Sequence, residues 1–112
     1  MRNYETRLKK ADFANIFKRG ETANSQLVFL KFKKNDKEIN RFGIVTSLKI
    51  SKKAVVRNKI KRRLREIIRE CLKNFKPGFD IIIIAKPAII KENYKNIKEK
   101  LEELFRKSNF YK

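Results

Sequence analysis

The stretch AVVRNKIKRRLREIIRECLKNFKPGFDIIIIA, residues 54–85, contains the longest helical pattern and the longest apolar run of this chain. In its first part the apolar residues recur every three or four positions, which predicts one buried helix face over residues 54–75. That face consists of Ile60, Leu64, Ile67, Ile68, Cys71, Leu72 and Phe75. Pro77 and Gly78 end the helix. The β-branched run FDIIIIA, residues 79–85, is typical of a strand buried on both faces.

The flanking sequence predicts further elements on both sides of this stretch. They are a helix at residues 12–18, strands at residues 27–33 and 41–47, and a last helix at residues 90–107. Gly20 follows the first helix where a stop signal is expected. The polar residues 34–40 predict a hairpin between the two strands, and a further strand before Leu27 stays open. The order of elements predicts a single α/β domain over residues 1–112, with helices packed on a sheet.

The composition excludes several classes of function. The 112 residues include one Cys and no His, so neither a Cys/His zinc site nor a His-dependent catalytic triad is available. No run of about 18 apolar residues exists for a membrane span, and residues 1–10 lack the hydrophobic stretch that a secretory signal requires. The single Cys71 fits a reducing cytoplasm and is interpreted as a small buried hydrophobic residue. We therefore expect a cytoplasmic protein that holds no metal by itself.

The charge is the strongest indication of function. Lys and Arg number 31 against 12 Asp and Glu, which makes a formal net charge of +19. Residues 49–76 hold 12 basic and 2 acidic residues, so over half of this excess lies in a quarter of the chain. An excess of this size predicts a polyanionic partner, with nucleic acid first and an anionic membrane surface second.

The polar face of the long helix is basic. Opposite the apolar stripe lie Asn58, Lys61, Arg62, Arg65, Arg69 and Lys73. Lys52, Lys53 and Arg57 crowd the N-terminal end, where positive side chains oppose the helix dipole unless an anion docks there. A face that only solvates a helix usually mixes charge signs, whereas Glu66 and Glu70 alone offset these cations. We therefore interpret the face as a phosphate-binding surface.

Phe13 and Phe17, four residues apart in the first predicted helix, allow two interpretations. They anchor the helix to the sheet, or they line an open groove and stack on unpaired bases. Lys31 and Lys33 alternate with apolar residues on the following strand and would form a positive floor for such a groove.

Four segments of the chain resemble the bacterial ribonuclease P protein component, in the same order. AVVRNKIKRRLRE, residues 54–66, is similar to the family's signature helix, which contains an Arg-Asn-Arg core. The segments that resemble the opening helix, the buried strand and the C-terminal ending are LKKADFANIFKRG (8–20), FDIIIIAKPA (79–88) and LFRKSNFYK (104–112). Lys59 replaces the third residue of the core. The run of residues 47–53 before the helix is one residue longer, with Leu48 at a basic position and without the usual glycine.

The resemblance implies a two-layer α/β (α+β) sandwich like the second domain of ribosomal protein S5, with a left-handed β-α-β crossover through the basic helix. The general preference for right-handed crossovers would have predicted the opposite hand. The implied function is the protein subunit of ribonuclease P, an endoribonuclease ribonucleoprotein that removes the 5′ leader from precursor tRNA during tRNA maturation. Its RNA subunit is the catalyst and uses Mg²⁺ held mainly by RNA, so the protein is assigned no catalytic residue.

The resemblance also implies site residues and partners. Those that contact the catalytic RNA are Arg57, Asn58, Lys59, Lys61, Arg62 and Arg65. The charge pattern adds Lys52, Lys53 and Arg69 to them. Phe13 and Phe17 line the cleft for the single-stranded leader, and Lys31 is placed in the same cleft. The expected partners are the ribonuclease P RNA and precursor tRNA, without DNA, membrane or an obligate protein partner.

Three other functions stay open on the residues alone. They are a general or ribosomal RNA-binding protein, a small DNA-binding protein of the nucleoid, and a stand-alone nuclease. The nuclease would need carboxylates grouped around Mg²⁺, whereas Asp12, Asp36 and Asp80 fall on different predicted elements. A preference for precursor over mature tRNA separates the ribonuclease P subunit from other RNA-binding proteins.

Overall fold

The apolar run at residues 79–85 forms the central strand of the sheet. The computed structural model describes residues 4–5, 8 and 10–112, and within these residues five strands form one mixed sheet. In chain order they are β1 (Tyr4–Glu5), β2 (Glu21–Asn24), β3 (Val28–Lys34), β4 (Asn40–Val45) and β5 (Phe79–Ala85). Their order across the sheet is β1-β4-β5-β3-β2, with β5 parallel to β4 and antiparallel to β3. Every residue of β5 except Ile84 is buried, which confirms the prediction of a strand covered on both faces.

Three α-helices accompany the sheet in the described part of the chain. They are α1 (Lys10–Arg19), α2 (Ala54–Cys71) and α3 (Tyr94–Lys107). α2 passes into a 3₁₀ turn at Leu72–Asn74, so the predicted helix of residues 54–75 is confirmed except for its last turn. α3 begins four residues later than predicted, because a 3₁₀ turn at Pro87–Lys91 precedes it. The helix is then capped by Asn93, whose side chain accepts a hydrogen bond from the Asn96 N–H at 2.8 Å.

The predicted hairpin at residues 34–40 is wrong. β3 and β4 are not neighbours, because β5 lies between them and pairs with both. The connection passes the start of β5, where the Asn35 N–H donates to the Gly78 carbonyl at 2.9 Å and Gly78 takes a left-handed φ of 96°. The most apolar strand is thereby paired along both edges. The strand left open before Leu27 exists as β2, the edge partner of β3.

The two faces of the sheet are packed differently, and the strand register shows which residues point to each face. Leu30 and Ile83 point to the face covered by α2 and α3, and the larger core there contains the whole apolar stripe of α2. Ile82 points to the opposite face, where it forms a small cluster with Leu8 and with Ile16 of α1. Each fully buried Leu or Ile stabilises the fold by about 1.5–3 kcal/mol, so the larger core dominates stability. The predicted helical layer is thus α2 with α3, and within the described residues α1 is the helix on the other face.

Contacts between α2 and α3 explain two residues of the long helix. Cys71 is buried, as predicted, and burial raises the pKa of its thiol. Glu70 accepts hydrogen bonds from the Tyr94 hydroxyl and from Lys98 Nζ, the latter at 3.0 Å, which hold the pKa of Glu70 below its usual range. One of the two acids of α2 is therefore engaged with α3.

The C-terminal residues close the aromatic part of the core. The Phe110 side chain is fully buried, and its ring centroid lies 4.8 Å from that of Phe32, 5.0 Å from that of Phe79 and 5.7 Å from that of Phe75. Aromatic pairs of this kind add about 0.5–1.5 kcal/mol each beyond the area they bury. The Lys76 N–H donates to the Phe110 carbonyl at 2.7 Å, which fixes the chain end against the core.

β4, α2 and β5 form the predicted β-α-β unit through the basic helix, because β4 and β5 are parallel neighbours. α2 therefore begins at the end of the sheet where β4 finishes, and it returns the chain to the end where β5 starts. The left hand of this crossover stays a prediction from the resemblance.

We expect Phe110→Ala to lower the free energy of unfolding by about 3–5 kcal/mol, because the substitution leaves a cavity among buried rings. Urea denaturation followed by circular dichroism measures the loss. Phe17→Ala makes the same change at an exposed position and should cost less than about 1 kcal/mol. Equal losses in the two variants would contradict the burial of Phe110.

Candidate nucleic-acid interface

The outer face of α2 carries the predicted RNA-contacting cations. We call it the basic face, and it consists of Lys52, Lys53, Arg57, Asn58, Lys59, Lys61, Arg62, Arg65 and Arg69. The apolar stripe of α2 packs on the sheet, so these side chains are exposed, except that Arg57 and Lys61 are half-buried. α2 has no acidic residue in its first turn and no side-chain cap at Lys53. The positive end of the helix dipole therefore adds to the cations around it.

Internal bonds engage a minority of the basic face. Arg57 Nη1 donates to the Ser51 carbonyl at 2.8 Å, and Arg69 Nη1 lies 2.7 Å from Glu66 Oε2. Within the described part of the chain, the basic-face side chains without a hydrogen-bond or ion-pair partner are Lys52, Lys53, Asn58, Lys59, Lys61, Arg62 and Arg65. Six of these seven carry a positive charge, so the face is available to an external polyanion.

Residues 47–53, the run that departs from the family pattern, form a turn fixed by Ile50. Ile50 is buried, its N–H donates to the Ser47 carbonyl at 3.0 Å, and the Lys49 N–H donates to Ser47 Oγ at 3.2 Å. Leu48 is 68% exposed in this turn. The entry to α2 is thus held by hydrogen bonds and presents an apolar side chain where the resemblance implies a cation.

α1 crosses the second face of the sheet from β4 to β3. Phe13 lies over Gly43 of β4, where an added Cβ would stand 2.5 Å from the aromatic ring. Ile16 packs on the centre of β5. At the end of the helix Lys31 Nζ, from β3, donates to the Gly20 carbonyl at 3.4 Å. The glycine in β4 therefore makes room for the ring that seats the start of α1.

The structure separates the two interpretations of Phe13 and Phe17. Phe13 is half-buried and packs against the small cluster around Ile16, so it anchors α1. Phe17 is 44% exposed, and it lies four residues further along the same flank of the helix. One ring therefore packs against the core and remains half-buried, and the other is exposed at the surface.

An open strip of the sheet runs beside α1, at the end of the sheet where α2 begins. The register places Val45, Ile84 and Phe29 next to one another on this face, and all three are half-buried. Together with Phe17 and Lys31 they form what we call the α1 cleft. The cleft and the start of the basic face thus share one end of the sheet.

Phe29 is a candidate residue that the sequence analysis missed. The strand register puts it on the same face as Lys31 and Lys33, because alternate residues of a strand point the same way. The alternation in residues 27–33 could have predicted this candidate, since it places one aromatic residue and two lysines on one face of the strand.

A second omission is Arg41, which joins two of the three acids considered for a nuclease. Arg41 Nε and Nη2 donate to the Asp80 carboxylate at 2.8 and 2.6 Å, and Arg41 Nη1 lies 3.4 Å from Asp12 Oδ2. Burial opposes ionisation of Asp80, but hydrogen bonds from Arg41 and Asn35 outweigh it and lower the pKa of Asp80. The hydrogen bonds between Arg41 and Asp80 also raise the pKa of Arg41. Arg41 and Asp80 are 39 positions apart in the sequence, so no pattern of local spacing predicts their contact.

The remaining acid, Asp36, lies exposed in the connection between β3 and β4. Among the residues that the structure describes, no group of three or more His, Cys, Asp or Glu side chains is arranged to hold a metal ion. In the same residues no helix has both the length and the apolar content needed to cross a membrane.

The fold and this surface define a small basic α/β protein of the nucleic-acid-binding class. The Ribonuclease P family model matches residues 1–109, so the chain belongs to the ribonuclease P protein family. Membership makes it the protein component of an endoribonuclease ribonucleoprotein, with an RNA partner and a role in tRNA processing.

Relatives and solved structures agree over most of the chain. The ribonuclease P protein component of Caldanaerobacter subterraneus subsp. tengcongensis is 33% identical over 112 residues, which cover 99% of this chain and 96% of the relative. The corresponding protein of Synechocystis sp. is 39% identical over 95 residues, covering 84% and 77%. The RNase P protein of Staphylococcus aureus has a TM-score of 0.86 at 27% identity, with 100% of both chains covered. That of Thermotoga maritima has a TM-score of 0.82 at 34% identity, covering 91% and 96%. The predicted mixed α/β fold is thereby confirmed.

We expect the free energy of unfolding to fall as the pH drops below about 4. The folded-state pKa of Asp80 lies below its ordinary value of 3.8, so the ionised carboxylate stabilises the fold above that value. This contribution is lost as the pH falls through the folded pKa. Asp80→Asn should remove that part of the pH dependence and cost about 3 kcal/mol at neutral pH, because Arg41 loses the nearer of its two charged partners.

Chemical denaturation of both proteins between about pH 2 and pH 7 measures these effects. Glu99→Gln, at an exposed position of α3, is the control for loss of one carboxylate. If Asp80→Asn unfolds with the same pH dependence as the unsubstituted protein, the role given to the Asp80 carboxylate is wrong.

Proposed function

We propose that this chain binds the catalytic RNA of ribonuclease P through the basic face of α2 and holds the 5′ leader of precursor tRNA in the α1 cleft. The observation that carries the proposal is the position of the two surfaces. The start of the basic face, whose six cations have no partner in the described residues, shares one end of the sheet with a half-buried apolar strip.

The basic face suits the backbone of a folded RNA. Arg62 and Arg65 lie one turn apart and exposed, so their guanidinium groups are free to grip phosphates in a bidentate manner. Lys59, in the third position of the core motif, acts as a point charge without that fork. Contacts to phosphate fix position and add affinity, and they do not depend on the base sequence.

The α1 cleft suits a single strand. Phe17 presents a ring for stacking, and Val45, Ile84 and Phe29 supply an apolar floor that tolerates any base. Lys31 at the edge of the floor neutralises phosphate. A leader held here passes close to the start of α2, so one chain contacts the substrate and the catalytic RNA together.

The chemistry then belongs to the RNA subunit, with Mg²⁺ bound mainly by RNA. The chain contains no His, and two of the acids considered for a nuclease, Asp12 and Asp80, are engaged by Arg41. The protein lowers the repulsion between two polyanions, which reduces the Mg²⁺ that the complex needs. We propose that the complex acts in the cytoplasm and that the protein needs no DNA, membrane or further protein partner.

The direct test is cleavage of precursor tRNA by a bacterial ribonuclease P RNA at low Mg²⁺, with and without this protein. We expect cleavage at the mature 5′ end only when both are present, and none by the protein alone. RNA binding without rescue of cleavage would instead indicate a general RNA-binding protein. Cleavage by the protein alone would overturn the assignment of catalysis to RNA.

We expect Arg62→Ala to weaken binding to the catalytic RNA and to leave thermal stability unchanged, because Arg62 lies off the apolar stripe. If six to eight phosphates are neutralised, log affinity should fall with log salt at a slope of about −4 to −6. The variant should reduce that slope by about 0.7–0.9. Lys95→Ala, which removes a charge from the exposed side of α3, should change it little. A shared effect of the two variants would mean that only net charge matters.

We expect Phe17→Ala to weaken the binding of precursor tRNA to the holoenzyme by about 1–3 kcal/mol, the usual value of one base–aromatic stack. Binding of mature tRNA, which has no leader, should stay unchanged. Fluorescence titration of the reconstituted holoenzyme with both RNAs gives the comparison. Equal weakening for the two RNAs would exclude leader contact by Phe17.

A further inference from the structure

α1 is attached to the sheet by little apolar contact. Ile16 is the only buried residue among residues 11–19, and Phe13 beside it is half-buried. A helix held to a sheet by one buried and one half-buried side chain, three residues apart, is free to roll about the line through them unless further contacts fix its direction. The position of Phe17, one turn beyond Phe13, depends on this direction.

Two cations from the sheet supply contacts at the ends of α1. In its first turn Asp12 lies 3.4 Å from Arg41 Nη1 of β4. At its last turn Lys31 Nζ of β3 meets the Gly20 carbonyl at 3.4 Å. The charges suit the helix dipole at both ends, because Asp12 stands in the first turn and a lysine faces a carbonyl just after the last turn. At the N-terminal end the acid, Asp12, belongs to α1 itself, and the Arg41 side chain reaches it from the sheet.

Arg41 is a fixed support for this contact. Its guanidinium is bidentate to Asp80, whose side chain is 8% exposed, and Asp80 Oδ1 also accepts from Asn35 Nδ2 at 2.8 Å. The Arg41–Asp80 contacts are 2.6–2.8 Å long, whereas both contacts to Asp12 are 3.4 Å. The guanidinium therefore stays with the sheet, and Asp12 is the partner that moves with α1.

We propose that the Asp12–Arg41 ion pair positions α1 over the sheet and so sets the width of the α1 cleft. Asp12 and Arg41 are positioning residues, which act on the leader through Phe17 and do not touch it. Asp12 lies on the flank of α1 toward Arg41 and Asp80. Phe17 is five residues further along, about 140° around the helix, so it lies on the opposite flank of the line that Ile16 and Phe13 present to the sheet. Loss of the ion pair lets the helix roll, which moves Phe17 relative to Phe29. This inference rests on the proposed binding of the leader in the cleft.

The variants that test it are Asp12→Asn and Asp12→Ala, measured in the reconstituted holoenzyme. Affinity for precursor tRNA should fall about three- to fivefold, the effect of a partly exposed ion pair. Affinities for mature tRNA and for the catalytic RNA should change less than twofold. Both substitutions raise the net charge by one, which by itself favours RNA binding. Glu99→Gln on α3 makes the same charge change and should not weaken precursor binding. Asp12→Glu should restore part of the affinity.

A double-mutant cycle with Phe17→Ala shows whether Asp12 acts through that ring. If it does, Asp12→Ala together with Phe17→Ala binds precursor tRNA as weakly as Phe17→Ala alone. Additive losses would overturn the positioning role and indicate a separate contact of Asp12 with RNA.

Hydrogen–deuterium exchange of the protein without RNA tests the ion pair independently of the leader. We expect faster exchange in residues 10–19 of Asp12→Ala, with α2 and β5 unchanged. Unchanged exchange in α1 would overturn the inference even if the leader binds as proposed. If the unsubstituted holoenzyme does not distinguish precursor from mature tRNA, the proposed function fails, and the exchange result still decides whether the ion pair holds α1.

Discussion

Burial of β5 on both faces is the constraint on which the rest of this structure depends. A run of four isoleucines cannot lie at an edge without exposing apolar surface and unpaired backbone, so it takes the centre of the sheet between β3 and β4. Parallel pairing with β4 then requires a crossover, and α2 supplies it. The basic face is presented at one end of the sheet because the crossover helix must begin where β4 ends.

The two faces of the sheet are packed to different degrees. α2, α3 and the C-terminal aromatic residues cover one face with a continuous core that contains all seven residues of the α2 stripe. The other face has only α1 on it in the described part of the chain, with a cluster of three buried residues. The sparse packing leaves Phe29, Val45 and Ile84 half-buried. The proposed leader cleft depends on this sparse packing, since a fully packed sheet face has no surface to offer a ligand.

The charged side chains are also arranged differently on the two sides of the sheet. The two acids of α2 are both engaged, Glu66 with Arg69 and Glu70 with Tyr94 and Lys98, so they offset little of the outer face. Beneath α1 the arrangement is reversed, since two carboxylates surround one arginine. The guanidinium of Arg41 is engaged within the fold, whereas Arg62 and Arg65 on α2 have no partner among the described residues. Position relative to carboxylates, and not the residue type, separates these two groups of arginines.

The sequence by itself determined the elements with strong periodicity. The α2 stripe, the β5 run, the burial of Cys71 and the basic face all follow from spacing along one element. Tertiary structure alone decided which strands are neighbours. The polar connection at residues 34–40 is compatible with a hairpin between β3 and β4, and only the pairing of β5 with both strands excludes it. Tertiary structure also decided that Phe13 is half-buried and Phe17 exposed, since both occupy the same helical flank and the Phe13 ring packs into the space that the missing side chain of Gly43 leaves. The Asp12–Arg41–Asp80 contact is likewise tertiary, because pairing across β4, β5 and α1 joins residues that no local pattern relates.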